Sequence, residues 1–400
     1  MGNARRLAPL LSDHPKTQLG HRTAAARPQA APAHRQPPRP AARQPPPHGP
    51  VMRLTLGLTT AVVVSSRDAA REAFTKHDRR LAAHAVPDNA RALGFAGRSM
   101  IWLPSTDPMW RTLRGIVATH VFSPRSLAAA RDVRERKVRD LVAYFRGRAG
   151  QEVDFGEAVY GGVINLVSSV VFSADVVDVG EESALAEASS MPKHNDFLDA
   201  LIDLMSKGKI SHDSVTIILV DVFAAGSDTT TVTLEWAMAE LLRNQSIMSK
   251  VRTEVENSLG DKGTIQETDV ASMPYLQAVV KEAMRGTADT PPRIGGWHRD
   301  WWLHVWERTN EFMPERFLDR DADVDFRGKE FGFIPFGSGR RQCPGLPMAE
   351  RVVPFVLASL LHAFEWRLPD GTSAVQLDLS EKFTTANVLA IALRVAPVMV

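Results

Sequence analysis

Phe336-Gly337-Ser338-Gly339-Arg340-Arg341-Gln342-Cys343-Pro344-Gly345 sets the single cysteine of the chain at the end of a glycine-rich approach, just before an apolar helix predicted over Leu346–Phe364. Glycines let the backbone turn tightly and let a flat ligand approach it closely. Pro344 fits a first helical turn. Orphan N–H groups and the positive end of the helix dipole favour a thiolate over a thiol. Arg341, two residues upstream, can reach an anion. The plainer alternative is a buried structural cysteine in a turn. Gly337-Ser338-Gly339 lacks the third glycine of a dinucleotide fingerprint, and no G-x-x-x-x-G-K-S/T phosphate loop exists.

A thiolate, room for a planar group and a nearby cation together suit an iron porphyrin with acidic propionates. One cysteine excludes intramolecular disulfides, Cys-rich zinc modules and iron–sulfur clusters held by the chain. The twelve histidines form no H-x-x-x-H or H-E-x-x-H pair, and no G-x-S-x-G elbow is present.

At 44% hydrophobic and 24% charged, the 400 residues can bury one large core or two ordinary ones. The net charge of +2 is unevenly spread. Residues 1–50 carry eight Lys/Arg against Asp13 alone, leaving 40 basic and 45 acidic residues in 51–400. A basic nucleic-acid-binding domain is therefore not expected. The same fifty residues hold 11 of the 26 prolines and no apolar periodicity. They read as a disordered Pro/Arg-rich tail ahead of one domain over 51–400. No stretch reads as the 18–20 apolar residues of a membrane span, so no span is expected.

Helix dominates the rest, giving a mainly α fold with a minor β part. Met52–Val64 reads as a strand, with a helix from Asp68 to about Thr75 capped near Ser65-Ser66. Helices are predicted over Met109–Phe122, Ser126–Arg146, Gly156–Phe172, Asp196–Met205 and Asp213–Arg243, the last capped by Ser211. Further helices are predicted at Ile247–Ser258 and Pro274–Arg285, and a strand at Val388–Val395. Residues 175–195 read as a loop, and 286–311 lack periodicity.

Three more constellations stand out. Ala225-Gly226-Ser227-Asp228-Thr229-Thr230 is a poor helix centre by propensity, flanked by apolar residues. It is either a bent structural helix or an acid–alcohol pair able to pass protons to something bound beside it. Glu282 and Arg285, at i,i+3, share a helix face, and Arg316 lies among aromatics in Phe312–Phe317. Trp110 and Arg114 share another face, and both can donate to an anion.

Taken in order, W-x-x-x-R, A-G-x-D-T-T, E-x-x-R, P-E-R-F and F-x-x-G-x-R-x-C-x-G resemble a cytochrome P-450, a haem-thiolate monooxygenase. The wording of Phe333–Arg341 and Asp221–Thr230 is most similar to the plant endoplasmic-reticulum group that hydroxylates terpenoids and phenolics. The resemblance implies that Cys343 is the proximal ligand of haem iron. It implies that Asp228 and Thr229 deliver protons during oxygen activation, and that Trp110, Arg114 and Arg341 donate to the haem propionates. Phe336 would stand beside the thiolate, Glu282, Arg285 and Arg316 would form a structural network, and the turn around Phe383 would meet substrate. It further implies haem b, O2, a small apolar substrate, NADPH-derived electrons from a flavoprotein reductase, and a monomer. The expected location is the endoplasmic-reticulum membrane surface, or the cytoplasm if no anchor is present.

Against that family the chain departs in three places. The N-terminal membrane helix is replaced by the Pro/Arg tail. The chain is short near 173–194, where two helices roof the active site, and again near 286–311. A catalytically silent haem-binding remnant is the alternative function.

Overall fold

The computed structural model describes residues 49–56, 59–92, 94–177, 196–260, 262–287, 306–319, 324–384 and 386–400. The tail predicted over 1–50 lies outside them except for Gly49 and Pro50. Of the two short stretches, 173–194 and 286–311, residues 178–194 and 288–305 also lie outside.

The described residues are mainly helical, as expected. Strands β1 (Val51–Leu56) and β2 (Thr59–Val64) form an antiparallel hairpin, so the single strand expected over 52–64 is corrected to two. Helices α1 (Arg67–Lys76), α2 (Asp78–Leu81) and α3 (Asp88–Ala92) follow. Next come α4 (Pro108–His120), α5 (Pro124–Ala129) and α6 (Arg131–Arg146). The helix expected from Ser126 is thus divided at Ala130. Strand β3 (Val153–Asp154) leads into α7 (Phe155–Phe172), and α8 (Phe197–Ser206), α9 (His212–Arg243), α10 (Gln245–Leu259) and α11 (Pro274–Thr287) complete the middle. The C-terminal part holds α12 (Leu346–Ala363) and strands β4 (Phe364–Arg367), β5 (Glu381–Phe383), β6 (Asn387–Leu389) and β7 (Arg394–Met399). The strand expected over 388–395 is therefore two strands in different sheets. β7 is the centre of β3–β7–β4, while β6 pairs only with β5.

Local chemistry starts most of these helices where a side chain can satisfy a free amide. Ser66, Asp107, Ser123, Asp154, Asp196 and Ser211 each accept from a backbone N–H of the turn they cap. Glu254 of α10 does the same from outside, accepting from the amides of Tyr275 and Leu276 at 2.8 and 2.7 Å and so fixing α11.

α9 is the axis of the core, packed on α7 and against α11 and α12. α6 closes on α7 at Gly162, where a Cβ would stand 2.8 Å from a Leu141 methyl, so only glycine allows that approach. Phe145, Phe155 and Trp366 lock α6, α7 and β4 together with ring centroids 5.1–5.9 Å apart.

The expectation that no stretch reaches spanning length is corrected. α7, α9 and α12 are each long and apolar enough, by length and composition, to cross a membrane. Their apolar residues are instead shared among one another, with Val163, Ile218, Leu234, Leu357 and Leu360 all buried. The missed signal was hydropathy averaged through scattered Gly, Ser and Thr, the hydroxyls of Ser and Thr tolerating burial when they bond to the helix itself.

Candidate active site

Gly337 and Gly339, at φ +66° and +67°, turn the cysteine loop through the left-handed region. A Cβ on Gly339 would collide with the carboxylate of Asp78, whose Oδ1 accepts from the amide of Arg340 at 3.0 Å. α2 therefore holds the loop from one side. The Cys343 amide donates to the Phe336 carbonyl at 2.9 Å, bringing that aromatic beside the cysteine.

Cys343 is exposed at its side chain, yet crowded by protein on its other flanks. Burial pushes its thiol up. The amides of Gly345 and Leu346 and the Arg114 guanidinium pull it down, and burial wins. The amides thus act in the direction expected of the helix terminus, and burial outweighs them in the metal-free chain. A metal cation on the sulfur would supply the missing stabilisation, since a coordinating thiol is deprotonated outright. Among the described residues no group of three or more His, Cys, Asp or Glu is placed to hold a metal. A metal on Cys343 must therefore bring its other ligands with it, as a porphyrin does.

Anion-binding groups surround the same loop. Trp110 of α4 is 6% exposed, and its indole Nε1 is buried without a hydrogen-bond partner. The Arg341 guanidinium lies 5.1 Å from the Trp110 ring and that of Arg114 lies 5.7 Å away. Arg114 also donates to the Gln342 carbonyl at 2.7 Å. Desolvation lowers the pKa of both arginines, and Arg114 adds to the lowering at Arg341. Two mutually repelling cations beside an unpaired buried donor fit a carboxylate, which would relieve all three. The residues present therefore fit haem, with its propionates at Trp110, Arg114 and Arg341 and its iron at Cys343.

Arg341 is itself anchored. It donates to the carbonyls of Ala82 at 2.7 Å and Met100 at 3.1 Å, and also to that of Leu103. His84 bonds the Ile101 carbonyl at 2.8 Å, and desolvation, then Arg341, lowers its pKa.

The expected acid–alcohol pair lies in the middle of α9, which runs unbroken through it. Thr229 is exposed, and its hydroxyl donates to the Ala225 carbonyl at 2.7 Å. Asp228 meets the hydroxyl of Tyr160 of α7. Tyr160's pKa is raised by burial first and then by the charge of, and hydrogen bond to, that carboxylate. The contacts of Asp228 and Thr229 thus run to α7 and α9 and not to the cysteine loop.

Glu282 is fully buried. It accepts from Arg285 at 2.9 Å twice, from Arg316 Nε at 2.9 Å and from the Met313 amide at 3.0 Å. Arg316 donates onward to the Glu307 carbonyl at 2.7 Å. The side chain of Phe383 lies outside the described residues.

Two groups were not singled out in the sequence. Tyr160 is one. Asp221, two helical turns before Asp228, is 6% exposed and binds Ser99 and Met100. Its signal was a lone acid inside the apolar run Ile217–Phe223.

A cysteine beside an indole N–H and two guanidiniums able to donate to a carboxylate fits a haem-thiolate site. Comparison with known proteins agrees. The family model "Cytochrome P450" matches residues 43–191, 181–294 and 292–391. Cytochrome P450 76M5 of Oryza sativa subsp. japonica is 54% identical, over 88% of this chain and 86% of its own. Oryzalexin D synthase and ent-cassadiene C11-alpha-hydroxylase 1, from the same plant, are 47% and 46% identical over 88% of this chain and 87% of theirs. A zebrafish cytochrome P450 solved with abiraterone shares the fold, with TM-score 0.72 at 22% identity over 88% of this chain and 96% of its own. The chain belongs to the cytochrome P450 family. The 54% match extends over 433 positions, more than the 400 residues of this chain, so that relative carries residues within the matched region that this one lacks.

Proposed function

We propose that the chain inserts one oxygen atom of O2 into a small apolar substrate of the terpenoid or phenolic class. The electrons would come from NADPH through a separate flavoprotein reductase at the endoplasmic-reticulum surface. The observation that carries this reading is the unpartnered Trp110 Nε1, buried between Arg114 and Arg341 on the loop that ends in Cys343. Two plant relatives, named an oryzalexin synthase and an ent-cassadiene hydroxylase, support the terpenoid class.

When bound, haem supplies the oxygen-activating redox chemistry. Cys343 would hold the iron through its sulfur, with the Gly345 and Leu346 amides stabilising the negative charge on that sulfur. Arg114, Arg341 and Trp110 orient the group by its carboxylates. Thr229 holds a hydroxyl on the exposed face of α9, able to pass a proton on breaking its bond to Ala225. Asp228 resupplies that proton, with Tyr160 setting the carboxylate's orientation.

The test is the spectrum of the purified, reduced, carbon-monoxide-bound protein. A thiolate-type red-shifted Soret band is expected, and a protein that captures no haem when expressed with its precursor overturns the reading.

A second reading, haem binding without turnover, draws on the exposure of Val220, Ala224, Ala225 and Thr229 along α9. Water reaching that face would compete with substrate. Substrate-dependent NADPH consumption with an added reductase separates the two.

A further inference from the structure

We infer that Asp221 is a positioning residue for the anion-binding pair Arg341 and Trp110, acting through the backbone of residues 99–103. This inference rests on the reading that Arg341 and Trp110 bind the haem carboxylates.

The geometry is a strip of chain gripped on both edges. From α9, Asp221 Oδ1 accepts from the Ser99 hydroxyl at 2.7 Å and Oδ2 from the Met100 amide at 2.7 Å. Ser99, itself fully buried, accepts in turn from the Ile101 amide at 3.0 Å. From the cysteine loop, Arg341 donates to the carbonyls of Met100, Ile101 and Leu103. The Met100 peptide is therefore held at its N–H by a carboxylate and at its C=O by a guanidinium. No other observed contact of Arg341 fixes it so often; only the Ala82 carbonyl adds to the set.

Asp221 makes these bonds with no cation among its partners. Desolvation raises its pKa to about 6 despite the Ser99, Met100 and Ile101 donors that oppose the rise. Burial thus works against the charged form, which the Ser99 and Met100 donors hold in place. What the carboxylate supplies is charge-assisted bonding to one short backbone segment. The carbonyls of that segment determine where the Arg341 fork can sit. The fork in turn stands 5.1 Å from the Trp110 ring, whose Nε1 is unpaired. Loss of the grip at Asp221 lets the strip drift, and Arg341 follows the carbonyls rather than the anion.

The experiment compares the haem-loaded wild type with Asp221→Ala and Asp221→Asn. Three quantities are read: amide exchange at residues 99–103, the rate of haem transfer to apomyoglobin, and the propionate-bending band of the resonance Raman spectrum. Asp221→Ala should speed exchange at Met100 and Ile101, shift the Raman band and accelerate haem transfer at least fivefold. Asp221→Asn keeps an acceptor oxygen and should recover most of all three. Faster exchange with unchanged transfer and band would show that the strip moves without Arg341, and overturns the inference. Unchanged exchange overturns it as well. Should Asp221→Ala fail to fold, Ser99→Ala removes one donor to the same carboxylate and is read in the same way. A wild type that binds no haem is a failure of the functional reading itself, visible before any variant is made, and the inference falls with it.

Discussion

Arg114 donates to the carbonyl oxygen of Gln342 at 2.7 Å, tying α4 to the residue immediately before Cys343 across 228 positions of sequence. Among the described residues the same guanidinium is the charged side chain that lowers the Cys343 pKa. One arginine thus serves the anion site and the sulfur together. Arg114→Ala should speed haem transfer to apomyoglobin by ten- to a hundredfold, since a hydrogen bond to a charged group contributes about 1.5–3 kcal/mol. Stopped-flow absorbance measures the rate, and a change of less than twofold would remove Arg114 from the carboxylate site.

Cys343→Ala should abolish the red-shifted carbon-monoxide band while leaving the helical circular-dichroism signal intact. Its thiol takes no part in the core, being exposed at the side chain, so the fold does not depend on it. Survival of the thiolate band in the variant would mean that the iron ligand is misassigned.

Thr229→Ala removes a hydroxyl that bonds only to the Ala225 carbonyl of its own helix. Haem should remain bound, and the yield of product per NADPH consumed should fall severalfold as oxygen is reduced without being inserted. Product and NADPH measured in one assay give the ratio. An unchanged ratio excludes Thr229 from the proton path.

Glu282→Gln leaves Arg285 and Arg316 buried against a neutral amide. Breaking one member of a buried ion network costs about 3–5 kcal/mol. A denaturant midpoint lowered to match is expected in equilibrium unfolding, with the loss present across neutral pH.

Glu235 gives the stability a defined pH dependence. Burial raises its carboxyl from the ordinary 4.5 to about 7, with Asp154 adding to the rise and the Leu393 amide opposing it. Between those values the folded chain binds more protons than the unfolded one. Its contribution is therefore complete below about 4.5 and is lost as the pH climbs through 7. Asp221, raised to about 6, acts in the same direction. Glu235→Gln should gain about 1–3 kcal/mol at pH 8 and change little at pH 4.5, a figure set by 1.36 kcal/mol per unit and reduced for partial exposure. Denaturant midpoints at the two pH values decide it.

What the sequence disclosed is whatever short-range chemistry writes. Ser211 and Asp196 cap their helices from three residues away, and Glu282 and Arg285 meet one turn apart. The order of the motifs was enough to collect Trp110, Arg114, Arg341 and Cys343, which the fold brings together. Quantities set by tertiary surroundings were hidden. The direction of the Cys343 pKa depends on how densely the loop is packed, and the dipole argument alone points the other way. Asp221 reads as an oddity in an apolar helix because its partners lie 121 and 122 positions earlier. The β1–β2 hairpin reads in sequence as one strand, because the register that folds Val51 onto Val64 is not visible in composition.

The long reach between Arg114 and Cys343 also sets an order of events at the ribosome. The arginines and indole of α4 emerge early, and α7 and α9 follow with their oily faces made. The sulfur and α12, the helix that shields those faces, arrive only after Gln342, 228 positions behind Arg114. A message broken anywhere before codon 343 therefore yields a sticky half-built core with nothing to grip a pigment. Such a product is fit for a chaperone or a protease and for little else.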